Sequence, residues 1–249
     1  MKQLLVVTAL VFAFGSCKEK TKPTDIAEQK VELEEKKETP ADWTTLFDGS
    51  SFDNWHYYGR GEVTEPWKLE DGAMVFYPPQ DRKKGEAFNI VTKQEYTDFV
   101  LSLEWRIAEA GNSGIFWGVH EDPSLSEAYQ SGPEIQVLDN DKHPDGKNGT
   151  THQAGALYDM VAPSEDVTKP IGEWNHCVIT VNHKTNTGIV VLNDVEIVNF
   201  PVNDPEWSAM VSQSKFNGWE HFGKYTTGKI GLQDHGDVVA YRNINIKEL

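Results

Sequence analysis

The chain of 249 residues carries 39 Asp and Glu against 23 Lys and Arg, a formal charge of −16, and 11% of it is aromatic, with eight Trp. An acidic balance of this size argues against nucleic acid as a partner, because phosphate binding works through Lys and Arg that displace counterions. The length admits one large domain or two small ones, and the surplus Trp suits either a sandwich core or platforms for sugar rings.

Met1-Lys2-Gln3 precedes an apolar run over residues 4–14, too short for a stable membrane span and of the length found in signal peptides. It ends in Phe14-Gly15-Ser16-Cys17, which resembles the lipobox of bacterial lipoproteins, with Phe14 in place of the usual Leu. That resemblance makes residues 1–17 a removable signal and Cys17 an acylated N-terminus. Its acyl chains would hold the protein in the lipid bilayer of the bacterial cell envelope, on the periplasmic or outer-membrane surface. Ordinary secretory cleavage beside an incidental Cys is the alternative. Residues 18–42 are rich in Lys, Glu, Thr and Pro, lack the apolar side chains needed to fold alone, and read as a flexible charged tether. Residues 1–17 carry +1 and 18–42 carry −2, which leaves −15 on residues 43–249; the acidity belongs to the folded domain.

From Trp43 onward, short β-runs alternate with turn signals. Trp67-Lys68-Leu69-Glu70 and the run beginning Ala73-Met74 are joined by Asp71-Gly72, a strong hairpin signal. Residues 98–108 form the clearest strand, with Phe99, Leu101, Leu103, Trp105 and Ile107 on one face and Glu104 and Arg106 on the other. Gly111-Asn112-Ser113-Gly114 is read as a turn into a strand over 115–120. Residues 131–140 alternate polar and apolar after a Gly-Pro turn, so Glu134 and Gln136 share one face and Ile135 and Val137 the other. The polar stretch 139–153 is long for a structureless connection and is expected to be functional or disordered; residues 154–158 resume a strand. Three strands follow within 174–200, then a helix from Asn203 to about Ser214, begun by Asp204-Pro205-Glu206. Strands over 229–232 and 238–249 close the chain. Eleven to thirteen strands with one or two short helices give an antiparallel, all-β sandwich or jelly roll with one sheet face open. With Cys17 acylated, Cys177 has no disulfide partner and reads as an inert core residue.

Several blocks then converge. Leu46-Phe47-Asp48-Gly49, Trp67 with Glu70-Asp71-Gly72, Asn112-Ser113-Gly114-Ile115-Phe116 and Glu134-Ile135-Gln136-Val137-Leu138-Asp139-Asn140 come first. Gly155-Ala156-Leu157-Tyr158, Gly172-Glu173-Trp174-Asn175, Ile230-Gly231-Leu232-Gln233-Asp234-His235-Gly236 and Tyr241-Arg242-Asn243-Ile244 follow. Together with 99–106, these blocks make residues 43–249 similar to the bacterial 3-keto-disaccharide hydrolases, also described as 3-keto-glucoside 1,2-lyases and 3-keto-2-hydroxyglucal hydratases. The resemblance implies a concanavalin-A-like jelly roll acting on an oxidised, 3-keto glycoside. In the implied reaction the C3 ketone acidifies the C2 proton, a base removes it, and the aglycone leaves C1 by β-elimination; water can then add to the resulting glucal.

Such chemistry needs a base, an electrophile at the C3 oxygen and a donor for the leaving oxygen. His235 is the first choice of base, because imidazole titrates near working pH, followed by Glu134 and Asp139. Arg106 is the expected enolate clamp, with a structural ion pair to Glu104 as its competing role. Gln136, Asn112, Ser113, Asp234, Tyr158 and Trp117 are the expected substrate contacts. A divalent metal polarising the ketone is chemically sensible, yet neither His120-Glu121-Asp122 nor His143, Asp145 and His152 has the spacing of a closed zinc site, so the metal question stays open. Two other readings compete: a retaining glycosidase using Glu134 and Asp139 as its carboxylate pair, and a non-catalytic carbohydrate-binding module stacking sugars on Trp55, Trp117 and Trp219.

Overall fold

A computed structural model describes residues 42–249 of the protein; the expected signal segment, Cys17 and all but the last residue of the expected tether lie outside the described residues. The described chain contains thirteen strands: β1 (Thr44–Phe47), β2 (Trp55–Tyr57), β3 (Trp67–Glu70), β4 (Ala73–Phe76), β5 (Ile90–Thr92), β6 (Phe99–Ile107), β7 (Asn112–Val119), β8 (Glu134–Leu138), β9 (Asn175–Asn182), β10 (Thr187–Leu192), β11 (Val195–Phe200), β12 (Lys229–Leu232) and β13 (Val239–Glu248). One α-helix, α1 (Glu206–Val211), is shorter than the predicted helix over 203–214. Among the described residues no helix is long and apolar enough to cross a membrane.

The strands form two antiparallel sheets. One runs β11-β10-β9-β6-β13-β4-β3, with β1 also paired to β13; the other runs β2-β5-β12-β7-β8. The alternation read in β6 is the one observed, since Phe99, Leu101, Leu103, Trp105 and Ile107 are all buried and the residues between them half-buried. They meet Ile115 and Trp117 of β7 and Ile135 and Val137 of β8 in a single core. Each such side chain taken out of water contributes about 1.5–3 kcal/mol, and this burial is what presses the sheets together. Cys177 is part of this core, and burial pushes its thiol up to about 12, so it is the inert residue expected.

The Asp71-Gly72 hairpin forms as predicted: Glu70 pairs with Ala73, and both turn residues have positive φ, +49° and +74°, the conformation of a type I′ turn. Two boundaries depart from expectation. Asn112 and Ser113, assigned to a turn, already belong to β7, because Asn112 and Ser113 pair with Leu138 and Val137 of β8. Residues 154–158 do not make a full strand, yet they follow β8 closely: Gly155 N–H donates to Gln136 O, Gln136 N–H to Ala156 O and Tyr158 N–H to Glu134 O. That segment covers the outer edge of β8. With the 3-10 turns Pro144–Lys147 and Thr150–His152 formed in the long polar stretch, every residue of β8 is buried, not only its core-facing half.

Candidate active site

The side of the five-stranded sheet turned away from the core carries a row of polar groups. In β7, Ile115 and Trp117 point into the core while Phe116 joins Tyr58, Val91, Val119 and Ala128 on the opposite face. Gly114, two residues from Phe116, therefore belongs to that opposite face. It pairs with Gln136 on one side and accepts the Gln233 N–H on the other at 2.9 Å. Asn89 extends the row, its Oδ1 accepting the Asp234 N–H at 3.1 Å. Gly114 is required here for space: a Cβ at this position would lie 2.0 Å from Glu134 Oε1. The Glu134 carboxyl thus occupies the gap where a side chain would stand, between Gln233 and Gln136.

Glu134 is 7% exposed. Burial pushes its carboxyl up to about 8, Asp145 adds to the rise and the Lys215 ammonium opposes it. At neutral pH the group is chiefly protonated, a proton donor held in a dry slot. Its surroundings are linked. Tyr158 OH donates to Asp145 Oδ2 at 2.8 Å, and Lys215 Nζ sits 4.0 Å above the Tyr158 ring. His152 bridges Asp145 and Asp159 at 2.9 and 3.0 Å. Burial would raise the Asp145 carboxyl, but hydrogen bonds from His152, Asn148 and Tyr158 outweigh it and hold Asp145 below the ordinary carboxylate range. Burial first, and then the Asp145 carboxylate, raise the Tyr158 phenol. Asp145 is therefore the fixed anion of this cluster and Glu134 the neutral acid.

A second group lies one step along β7. Asn112 Nδ2 is 3.5 Å from His235 Nε2, and the Asn112 N–H donates to Asp237 Oδ2 at 3.1 Å. Asp237 Oδ2 is in turn 3.9 Å from His235 Nδ1. With the Asn112 amide as donor, His235 keeps its lone pair on Nε2 and its proton on Nδ1, toward Asp237, which is the tautomer of a base. Asn112 and Gly114 are two residues apart on one face, roughly 7 Å along the strand, so His235 and the Glu134 carboxyl flank the same stretch of sheet.

His143 stands edge-on to His235, ring centroids 5.9 Å apart, and the ligand atoms of His143, His235 and Asp237 all lie within 4.8 Å of one another. Two imidazoles and a carboxylate are a metal-binding composition. However, His143 Nδ1 accepts the Asp145 N–H at 3.1 Å. A neutral imidazole has one lone pair, so His143 presents an N–H there instead of a ligand. The trio could hold an ion only if His143 gave up that hydrogen bond. The two groupings noted in the sequence are also otherwise engaged: His120 stacks on Tyr225 at 4.1 Å, Glu121 binds His56 at 3.0 Å, and His152 is locked between its two aspartates.

Of the predicted residues, Glu134, Gln136, Asn112, Tyr158 and His235 come together, and Asp234 lies under them, buried against Arg82 with its Oδ2 2.7 Å from Arg82 Nη2. The others do not join. Arg106 is on the far sheet, stacked on Trp174 at 4.6 Å; its expected partner Glu104 accepts instead from Arg242 Nε at 2.6 Å. Ser113 faces inward, bonded to Tyr241 OH and Gln233 O. Trp117 packs on Phe200 in the core. Asp139 has both oxygens committed to backbone N–H groups of Ala110, Asp141 and Lys142, so it fixes a loop and leaves Glu134 without a carboxylate partner from its own strand. Arg106→Ala is accordingly expected to leave turnover within twofold of wild type in a steady-state assay, and to cost stability by about 0.5–1 kcal/mol through the lost stack. The sequence reading passed over Lys215, Asp145 as the local anion, Asn89, Gln233 and Asp237. For Asp237, the Asp-x-x-Asp spacing around His235 is a signal that was present.

Residues 42–247 match the model of the 3-keto-alpha-glucoside-1,2-lyase-like domain. A 3-keto-disaccharide hydrolase of Bacteroides thetaiotaomicron is 34% identical over 83% of this chain and 78% of its own length. A crystal structure from Parabacteroides distasonis, provisionally described as a glycosyl hydrolase, superposes with a TM-score of 0.75 at 30% identity, covering 84% of this chain and 94% of that one. A Bacillus subtilis protein of unknown function with a galectin-like fold matches at TM-score 0.55 and 13% identity over 83% of this chain and 94% of its own, a likeness of fold only.

Proposed function

The chain belongs to the 3-keto-alpha-glucoside-1,2-lyase-like domain family, and from that premise we propose that it cleaves 3-keto-glycosides by elimination followed by hydration. The observation that carries this reading is the placement, on one sheet face, of a buried neutral carboxyl and of an exposed imidazole whose Nε2 is held by a long, 3.5 Å contact with the Asn112 amide that a substrate can displace. His235 Nε2 removes the C2 proton, and the electron pair passes into the C2–C3 bond as the enolate of the C3 ketone. The enolate then re-forms the ketone as the C1–O bond breaks. Glu134 gives its proton to the departing oxygen, so that the aglycone leaves as a neutral alcohol. The enone is hydrated in the reverse sense: water adds at C1, its proton returning Glu134 to the acid form, while His235 restores the proton at C2. One water is consumed and both residues recover their starting states.

Gln136, Tyr158 and Gln233 supply donors and acceptors for the ring hydroxyls and the C3 oxygen. The retaining-glycosidase alternative is disfavoured by the commitment of Asp139 to the backbone, and the binding-module alternative by the burial of Trp55 and Trp117, which leaves Trp219 as the one exposed member of its three-Trp platform. The test is to incubate residues 42–249 with a 3-keto-glucoside and with its unoxidised parent, following enone absorbance and free aglycone. Turnover of the keto substrate alone is expected; turnover of the parent alone would overturn the elimination.

A further inference from the structure

The trio of His143, His235 and Asp237 has a property that the elimination does not use. Its ligand atoms lie within 4.8 Å of one another, whereas donors to one tetrahedral zinc ion, each about 2.0–2.2 Å from the metal, stand roughly 3.3–3.6 Å apart. A closing movement of about 1 Å separates the trio from a coordination sphere. None of the three side chains is held in the core. His235 and Asp237 sit in the turn between β12 and β13, their side chains 45% and 37% exposed, on either side of Gly236, whose φ is +100°. His143 comes from a different segment, as the residue that precedes the 3-10 turn Pro144–Lys147. Asp237 Oδ2 accepts the Asn112 N–H, a bond that a carboxylate with two oxygens can keep while it binds an ion.

Ligand type selects the ion. Two imidazoles and a carboxylate suit zinc and its neighbours in the first transition row, whereas magnesium and calcium prefer oxygen donors alone. Three protein ligands leave a fourth position to water, the form of an open zinc site. Charge favours a cation as well. Residues 43–249 carry −15, and the adjacent Lys142 ammonium, which would oppose a cation, is bound to Glu109 at 2.5 Å. The cost is local. Whichever nitrogen of His143 binds the ion, Nδ1 no longer accepts the Asp145 N–H: either its lone pair is on the metal, or the proton displaced from Nε2 has moved there. One hydrogen bond given up lowers the affinity by roughly tenfold at most.

We propose that His143, His235 and Asp237 form an inhibitory site for a transition-metal ion of the zinc class, which closes the active centre by taking the lone pair of its base. A neutral imidazole has one lone pair. Bound through Nε2, His235 has nothing left to receive the C2 proton; bound through Nδ1, it carries its proton on Nε2 and again cannot. Turnover stops for as long as the ion stays. That consequence rests on the elimination reading, with His235 as base; the binding of the ion does not. His143 moves no proton in the reaction and is the residue that makes the base sensitive to metal.

The experiment strips the protein with a chelator, then titrates it with Zn²⁺ against a chromogenic zinc chelator of known affinity while turnover of a 3-keto-glucoside is measured in parallel. His143→Asn is the diagnostic variant, because asparagine still caps the turn and is a poor zinc ligand; Mg²⁺ is the control ion. Wild type is expected to bind one Zn²⁺, to lose turnover as it does so, to recover it with excess chelator, and to ignore Mg²⁺. In His143→Asn, metal-free turnover should stay within about twofold of wild type, while zinc affinity and sensitivity to zinc both fall at least tenfold, no less than the loss of an outer-sphere partner costs. Asp237→Asn, followed by chelator competition alone, should weaken zinc likewise. Equal zinc affinity in wild type and His143→Asn, no zinc bound by wild type, zinc bound without loss of turnover, or turnover raised by zinc each overturn the inhibitory site. If wild type cleaves no keto-glucoside even when free of metal, it is the elimination reading that fails, and chelator competition still decides the zinc site: weakened in His143→Asn it stands, unchanged it falls.

Discussion

Replacing His235 by alanine is expected to lower kcat on a 3-keto-glucoside by a factor of about 10²–10⁴, the range contributed by a positioned general base. The ring is 45% exposed and packs into no core cluster, so the substitution should move stability by less than about 0.5 kcal/mol and the loss can be read as chemical. Two further readouts separate a base from a bystander. Added imidazole should restore part of the rate in His235→Ala, because the vacated space opens to solvent. Asp237→Asn, which weakens the orientation of the ring without removing it, should lower kcat by a smaller factor and leave KM nearly unchanged. Wild-type turnover in His235→Ala would remove this residue from the mechanism and shift the role of base to Glu134.

Glu134→Gln keeps the shape of the side chain and removes its titrating proton. With a sugar leaving group, kcat is expected to fall by about 10²-fold or more; with a nitrophenyl leaving group, which departs without protonation, the fall should be small. In wild type the rate should decline as pH rises through about 8, where the carboxyl ionises, and that limb should be missing from Glu134→Gln. Stability follows with a definite sign. The unfolded carboxyl titrates near about 4.3, so between there and about 8 the folded chain binds more protons than the unfolded one. Its contribution is whole below the lower value and declines as pH rises to the upper. Thermal melts between pH 5 and 8 should therefore show a slope in wild type that is flatter in Glu134→Gln. An unchanged pH profile would mean that the slot over Gly114 is structural.

What the chain discloses about itself divides along a physical line. Period-two alternation in β6 and the Asp71-Gly72 turn are local signals, and both were legible because a strand's faces and a turn's φ angles are set within a few residues. One neighbour of Glu134 was legible for the same reason, since Gln136 shares its strand face; Asn112 entered only through the family resemblance, because residues 111–114 read as a turn. Arg106 misled because alternation says which residues share a face but not which of the sandwich's two outer faces that is. Only the pairing of β6 with β9 and β13 assigns it to the far sheet. Trp117 misled in the complementary way, by parity: with Asn112 and Ser113 taken as a turn, the strand's phase was not anchored, and the pairing with β8 puts Ser113, Ile115 and Trp117 inside. Lys215 and Asp145 could not be read at all. They reach Glu134 from segments 81 residues after and 11 residues after it in the chain, a proximity that depends on the sandwich having closed.

The segment that shields the margin of β8 joins two properties that are usually studied apart. Tyr158, which fixes the local anion beside Glu134, belongs to the short run whose backbone occupies the hydrogen-bonding positions a neighbouring molecule could otherwise use. Loosening that run, for instance with proline at Ala156, would expose a row of unclaimed amides, and such rows recruit further strands. Loss of turnover and self-association would then rise together with protein concentration, so a variant discarded as insoluble could owe its behaviour to a displaced lining of the substrate pocket.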